Sequence, residues 1–252
     1  MTLPLPPAFL RAPLAHRALH GPGAAENSRA AVRAAVEAGY GIEIDLQLSA
    51  DGQAMVFHDY GLDRLTGQPG TVRASTAAAL AATPLRGGDE GIPTLAEVLA
   101  LVRGQVPLLI ELKDQDGVMG PNIGALEAAT AAALGGYDGP VAVMSFIPHS
   151  VAEMARLCPA VPRGLTTSAY ADDWPLPERV RAYLRAIPDY ARVGASFISH
   201  EARDLDRPRV AELKAQGAAI LCWTIRSPAA EADARRVAQN ITFEGYAAAI
   251  PS

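Results

Sequence analysis

Cysteine is almost absent: Cys158 and Cys222 are the only two in 252 residues. They lie far apart and lack metal-ligand spacing. The sequence therefore offers no disulfide framework and no thiolate metal site, and both read as small buried hydrophobes. Positive charge is not in excess either. The formal net charge is −5 and the pI about 5.6, which argues against a nucleic-acid partner, since that would call for a basic stripe. The first twenty residues, "MTLPLPPAFLRAPLAHRALH", are broken by prolines and contain no apolar core of a signal peptide. No apolar run is long enough to span a bilayer, so no stable membrane insertion is expected. Together these absences point to a reducing compartment, the cytoplasm. No internal repeat, no low-complexity tail and no glycine-rich phosphate turn after a strand is found. The sequence carries no indication of oligomeric state.

What is present is apolar sequence in short alternating runs. Half of the residues are hydrophobic, enough for one core that buries about three quarters of the unfolded surface. Strand-like runs "PLAHR", "GIEIDLQL", "VPLLIELK", "PVAVMSF", "PRGLTT", "ASFIS", "AAILCWTI" and "NITFEGY" are separated mostly by helical ones. "ENSRAAVRAAVEAG" has Asn27 or Ser28 as N-cap and Gly39 at its end. Thr94 and Glu97 stand at capping-box spacing. Asp206 is a possible cap for "RPRVAELKAQG", and Ser227-Pro228 opens the last helix. Eight strands alternating with helices imply parallel pairing with right-handed crossovers. At this length the expectation is a closed (β/α)8 TIM barrel spanning residues 1–252 as a single domain. A doubly wound open sheet is the alternative.

"AMVFHD" does not fit the alternation. Only a few residues separate it from "GIEIDLQL", too few for a parallel crossover, and they include Asp51-Gly52, a strong hairpin signature. A two-residue turn there predicts that Asp45 faces His58 and that Glu43 shares their face. The hairpin would begin an inserted segment, at about residues 49–93, that caps the site.

Further groups are expected to join it. His16 and Arg17 end the first strand; Glu111 and Lys113, two apart, end "LLIELK". In such barrels the site lies at the carboxyl ends of the strands. A single strand carboxylate is ordinarily exposed or in a salt bridge, but Glu43, Asp45 and Glu111 together would repel one another unless a cation were present. An all-oxygen set suits Mg²⁺ or Ca²⁺ better than zinc. His16 and His58 are suited to move protons at neutral pH, Arg17 offers a fork for phosphate, and Lys113 a point charge. His20, His149 and His200 read as polar loop or satisfied histidines. Phe146 and Trp223, at strand ends, read equally as core or as substrate walls.

"AHRALHGPGAAENS", "GIEIDLQLSADGQAMVFHD", "LDRLTG", "IPTLAEVL", "LLIELK" and "CWTI" together resemble the glycerophosphodiester phosphodiesterases over nearly the whole chain. The resemblance implies a TIM barrel with a small insertion after the second strand. It also implies metal-dependent hydrolysis of a small glycerophosphodiester to glycerol 3-phosphate and an alcohol. His16 and His58 would be the acid–base pair and Arg17 a phosphate ligand. Glu43, Asp45 and Glu111 would hold the metal, and Lys113 would hold phosphate or neutralise charge. Phe146 and Trp223 match aromatic positions near the substrate. Two departures stand out. Ala18 replaces the usual glycine after His-Arg, so the loop is expected to avoid positive φ. The ending "NITFEGYAAAIPS" replaces a glycine-rich strand ending in Thr-Asp. Two other functions are weighed. A metal-dependent barrel isomerase or lyase on a phosphorylated sugar would need no second histidine. A non-catalytic phosphodiester-binding module should lack a histidine or a metal carboxylate.

Overall fold

The computed structural model describes residues 3–251. Its strands are β1 (Leu14–Ala15), β2 (Gly41–Leu48), β3 (Ala54–Val56), β4 (Leu108–Leu112), β5 (Val141–Ser145), β6 (Arg163–Thr167), β7 (Phe197–Glu201), β8 (Ala219–Ile225) and β9 (Asn240–Phe243). All except β3 pair in parallel, in the order β1-β9-β8-β7-β6-β5-β4-β2, and β1 pairs back onto β2. The sheet closes as the expected (β/α)8 barrel.

The helices are α1 (Ala8–Arg11), α2 (Arg29–Ala38), α3 (Asp63–Thr66), α4 (Ala77–Ala81), α5 (Leu95–Val102), α6 (Ala125–Leu134), α7 (Pro148–Leu157), α8 (Glu178–Arg185), α9 (Pro208–Ala215) and α10 (Pro228–Ala234). Local chemistry sets several boundaries. Ser28 caps α2 by accepting from Ala31 N–H, and Gly39 ends it at φ 74°. Thr94 and Glu97 form the capping box of α5, and Ser227 caps α10 with Pro228 in its first turn. Asp206 does not cap α9. Arg207 takes that position without a side-chain hydrogen bond, and Pro208 at N1 needs no acceptor because it has no N–H.

Polarity changes along the barrel axis. Leu14, Leu109, Ala142, Phe197 and Leu221 cluster with Phe9 of α1. Asn240 ties α1 in place by donating from Nδ2 to the carbonyls of Phe9 and Ala12, both at 2.7 Å. Two residues on from Leu14, Leu109, Phe197 and Leu221 stand His16, Glu111, Ser199 and Trp223, and Glu43 and Asp45 of β2 and Thr242 of β9 line one cavity with His16, Glu111 and Trp223. An apolar floor therefore lies beneath a polar mouth.

The hairpin differs from expectation by one register. Leu46, Gln47 and Leu48 pair with Val56, Met55 and Ala54, so Asp45 lies across from Phe57, whose N–H donates to the Asp45 carbonyl at 3.0 Å, and not across from His58. Ser49 N–H bonds to Gln53 O at 3.0 Å, closing a three-residue loop rather than a two-residue one. Of Asp51 and Gly52 only Gly52 takes positive φ, 77°. That matches a type I turn followed by a left-handed residue, not the mirror-image turn, which needs both residues left-handed. Ser49 Oγ stabilises this form by accepting from Gln53 N–H at 2.9 Å and donating to Asp51 Oδ1 at 2.6 Å. Between β2 and α5 the chain builds a satellite core from Met55, Phe57, Leu62, Val72, Leu80, Leu85 and Ile92.

Candidate active site

Glu43 and Asp45 point inward from β2, and Asp45 lies beside Glu111 in the parallel β2–β4 register. All three are buried, and one carboxylate oxygen from each lies within 4.8 Å of the others. Lys113 Nζ sits 2.9 Å from Asp45 and 2.5 Å from Glu111. Asn27 Nδ2 donates to Asp45 at 3.0 Å. Arg17 donates its backbone N–H to Glu43 at 3.0 Å, and its Nε lies 3.6 Å from Asp45.

These contacts do not neutralise the cluster. Burial, then the charges of Asp45 and Glu111, push Glu43 well above the usual carboxylate range. Burial also opposes charge on Asp45, but Lys113, His58 and Arg17 outweigh it and hold Asp45 low. Lys113 is likewise held protonated against burial by Asp45 and Glu111. Three buried oxygen donors with one carboxylate held high fit a hard divalent cation, which would bring all three into the ionised form.

Two histidines face this cluster, each with a carboxylate on Nδ1. His16 follows β1, and its Nδ1 lies 2.5 Å from Glu244 Oε2. His58 lies two residues past β3, where the backbone has left the ladder. The register shift therefore does not turn it away, and it lines the same cavity as Glu43 and Asp45. Its Nδ1 lies 2.7 Å from Asp59 Oδ1, while Arg64 Nε donates to Asp59 Oδ2 at 2.5 Å. Glu26 joins the two sides: it accepts from Arg17 at 2.9 Å and from Arg64 at 2.6 and 3.0 Å. His20 stands 3.7 Å from Glu244, beyond hydrogen-bond reach. His200 is buried and satisfied by Thr167 at 2.8 Å and Asp204 at 3.1 Å.

Ala18 does not avoid the left-handed region. Arg17 and Ala18 take φ 53° and 64° in succession. Their N–H groups both reach Glu43: Arg17 to the carboxylate, Ala18 to the backbone carbonyl at 2.9 Å. These bonds hold a conformation that costs an alanine about 1–2 kcal/mol.

The cavity is about 570 Å³ and contains all nine expected residues: His16, Arg17, Glu43, Asp45, His58, Glu111, Lys113, Phe146 and Trp223. Phe146 and Trp223 pack edge to face at 5.6 Å. Trp223 lies in an irregular stretch of β8, between the paired residues Cys222 and Ile225. Trp174 extends this wall, 5.2 Å from Phe146. Sequence reasoning did not pick out Trp174, Glu26, Asn27, Asp59, Arg64 or Glu244 as site residues. The quoted stretches "ENS", "FHD", "LDRLTG" and "NITFEGY" contain five of these six, and Trp174 lies in none of them.

The sequence pattern of the glycerophosphoryl diester phosphodiesterase family matches residues 16–242. The chain belongs to this family. It is a phosphoric diester hydrolase, and its barrel is the family fold. It is 31% identical to a glycerophosphodiester phosphodiesterase of Caldanaerobacter subterraneus over 169 residues, 63% of this chain and 68% of that one. It is 27% identical to a glycerophosphodiester phosphodiesterase of Bacillus subtilis over 213 residues, 78% of this chain and 69% of that one. Among solved structures it is similar to a phosphodiesterase of Oleispira antarctica in complex with the product sn-glycerol-3-phosphate. That match has a TM-score of 0.78 and 26% identity, covering 94% of each chain. No helix among the described residues is long and apolar enough to cross a membrane.

Proposed function

We propose that this family member hydrolyses small glycerophosphodiesters to glycerol 3-phosphate and an alcohol, with Mg²⁺ or Ca²⁺ held by Glu43, Asp45 and Glu111. The observation that carries the reading is the meeting of this carboxylate cluster with two histidines in one cavity. The product bound to the Oleispira antarctica relative supports the substrate class.

The cation would supply Lewis-acid neutralisation of the phosphate. Arg17 and Lys113 add positive charge where phosphate oxygens gain negative charge. One of His16 and His58 takes a proton from the nucleophile, and the other gives a proton to the leaving alkoxide. Phe146 and Trp223 wall the organic part of the substrate. The nucleophile is water or the glycerol hydroxyl next to the phosphate; a cyclic phosphate building up early in phosphorus NMR time courses marks the second. One catalytic domain, residues 1–252, does this work, with the inserted segment at about 49–93 as its cap. Cys158 and Cys222 are both free thiols, consistent with a proposed cytoplasmic location.

The test is release of glycerol 3-phosphate from glycerophosphocholine, glycerophosphoethanolamine and glycerophosphoglycerol, with and without EDTA. No turnover of any of them in the presence of Mg²⁺ or Ca²⁺ would overturn the reading.

A further inference from the structure

We propose that Glu244, clamped by Arg226, is a positioning residue that holds His16 in its Nδ1–H tautomer and so presents an unprotonated Nε2 to the cavity. This rests on the proton-transfer role of His16 proposed above.

Three strands converge to build the arrangement. His16 N–H donates to Phe243 O at 2.9 Å, and Glu244 N–H to Ile225 O at 2.9 Å. The mouths of β1, β9 and β8 are therefore tied together at the backbone. On that frame Glu244 Oε2 meets His16 Nδ1 at 2.5 Å, while Oε1 accepts from Arg226 Nε at 2.7 Å and lies 2.6 Å from its Nη2. Each carboxylate oxygen has a separate partner. An ionised carboxylate can only accept, so the shared proton sits on Nδ1 and the other ring nitrogen carries a lone pair. The His16 and His20 contacts hold Glu244 well below the usual carboxylate range. Burial holds His16 below its ordinary value, more than the Glu244 hydrogen bond raises it. His58, Asp59 and Arg64 repeat the same histidine–carboxylate–arginine order on the opposite wall. The departure from Thr-Asp at the chain end therefore falls on a residue that touches a histidine of the site.

Nitrogen NMR of histidine-labelled, metal-loaded wild-type protein tests this without any variant, with the His16 signal assigned by its loss in His16→Ala. The proton should be on Nδ1; a proton on Nε2 would overturn the proposal. Glu244→Gln has only one oxygen, and Arg226 claims it, leaving the amide NH₂ to face His16. The tautomer should invert, and kcat on glycerophosphocholine should fall by at least about 100-fold with little change in KM; the corresponding carboxylate-to-amide change in a serine-protease triad costs about 10⁴. Adding Arg226→Gln should free the amide to rotate and recover part of that loss. A purely structural role predicts no recovery, and that result would overturn the clamp. Should His16→Ala be inactive while Glu244→Gln keeps full turnover, only the positioning role is wrong. Should His16→Ala keep full turnover, the acid–base reading itself fails.

Discussion

A histidine that works as a base must be neutral, held in one orientation, and near the reacting atoms. Carboxylate partners hold the rings of His16 and His58 in one orientation beside the cavity; His20 has no such hold, because it lies 3.7 Å from Glu244 and lines a separate cavity. General acid–base catalysis is typically worth about 10² to 10⁴ in rate. His16→Ala and His58→Ala should therefore each lower kcat by at least about 100-fold, and His20→Ala far less. Steady-state assays on glycerophosphocholine decide it, and equal losses at His20 and His16 would move the role to His20. The pH dependence follows from burial. Desolvation lowers the His16 pKa from 6.5, and the Glu244 hydrogen bond only partly opposes this. A base with a lowered pKa is active above that value and is lost as pH falls through it. If His16 is the base, the acid limb of kcat/KM should have its midpoint below 6.5; a midpoint above it would assign the base elsewhere.

At the scale of elements, the strands and their order were legible because alternation, caps and strand length are local properties of the chain. Ser28, Thr94, Glu97, Ser227 and Pro228 act where their spacing places them. The hairpin was legible as a hairpin but not in register. Asp-Gly serves both a two-residue loop and a three-residue loop with a left-handed last residue, and the choice was made by Ser49, whose hydroxyl bridges Gln53 and Asp51. His58 reaches the site in either register because it stands beyond the ladder. Glu244 was not legible as a partner of His16, since the two meet only through closure of the barrel, 228 residues apart; Trp174 was not legible because it reaches Phe146 from the irregular loop after β6. Gly52 carries the turn at φ 77°, and nothing lies within 4 Å of where its Cβ would be. Gly52→Ala should therefore destabilise by backbone strain alone, about 1–2 kcal/mol. Urea unfolding with an unchanged m-value would show it, and an unchanged midpoint would mean that the loop takes another form.

At the scale of the whole molecule, the barrel places an apolar floor under a mouth that carries three buried carboxylates. Floor packing stabilises the fold, whereas the carboxylates oppose it: Glu43 is driven up by burial and by its neighbours, so ionising all three in this frame is unfavourable without a cation. The unfolded chain has no such cluster, because Glu111 comes from a strand far along the sequence from Glu43 and Asp45. A cation bound only by the folded state adds about 2.7 kcal/mol at a hundred times its Kd. For a chain of this size each kcal/mol moves Tm by about 2–4 °C. Saturating Mg²⁺ or Ca²⁺ should therefore raise Tm by roughly 5–10 °C, and EDTA should reverse the shift and abolish turnover together. Glu43→Gln removes one ligand charge along with the least favourable ionisation. It should leave the metal-free Tm equal or higher while shrinking the cation-dependent rise and the activity. Full turnover after exhaustive dialysis against EDTA, with a Tm indifferent to added Mg²⁺ and Ca²⁺, would remove the cation from this site and leave Lys113 and Arg17 as its only counter-charges.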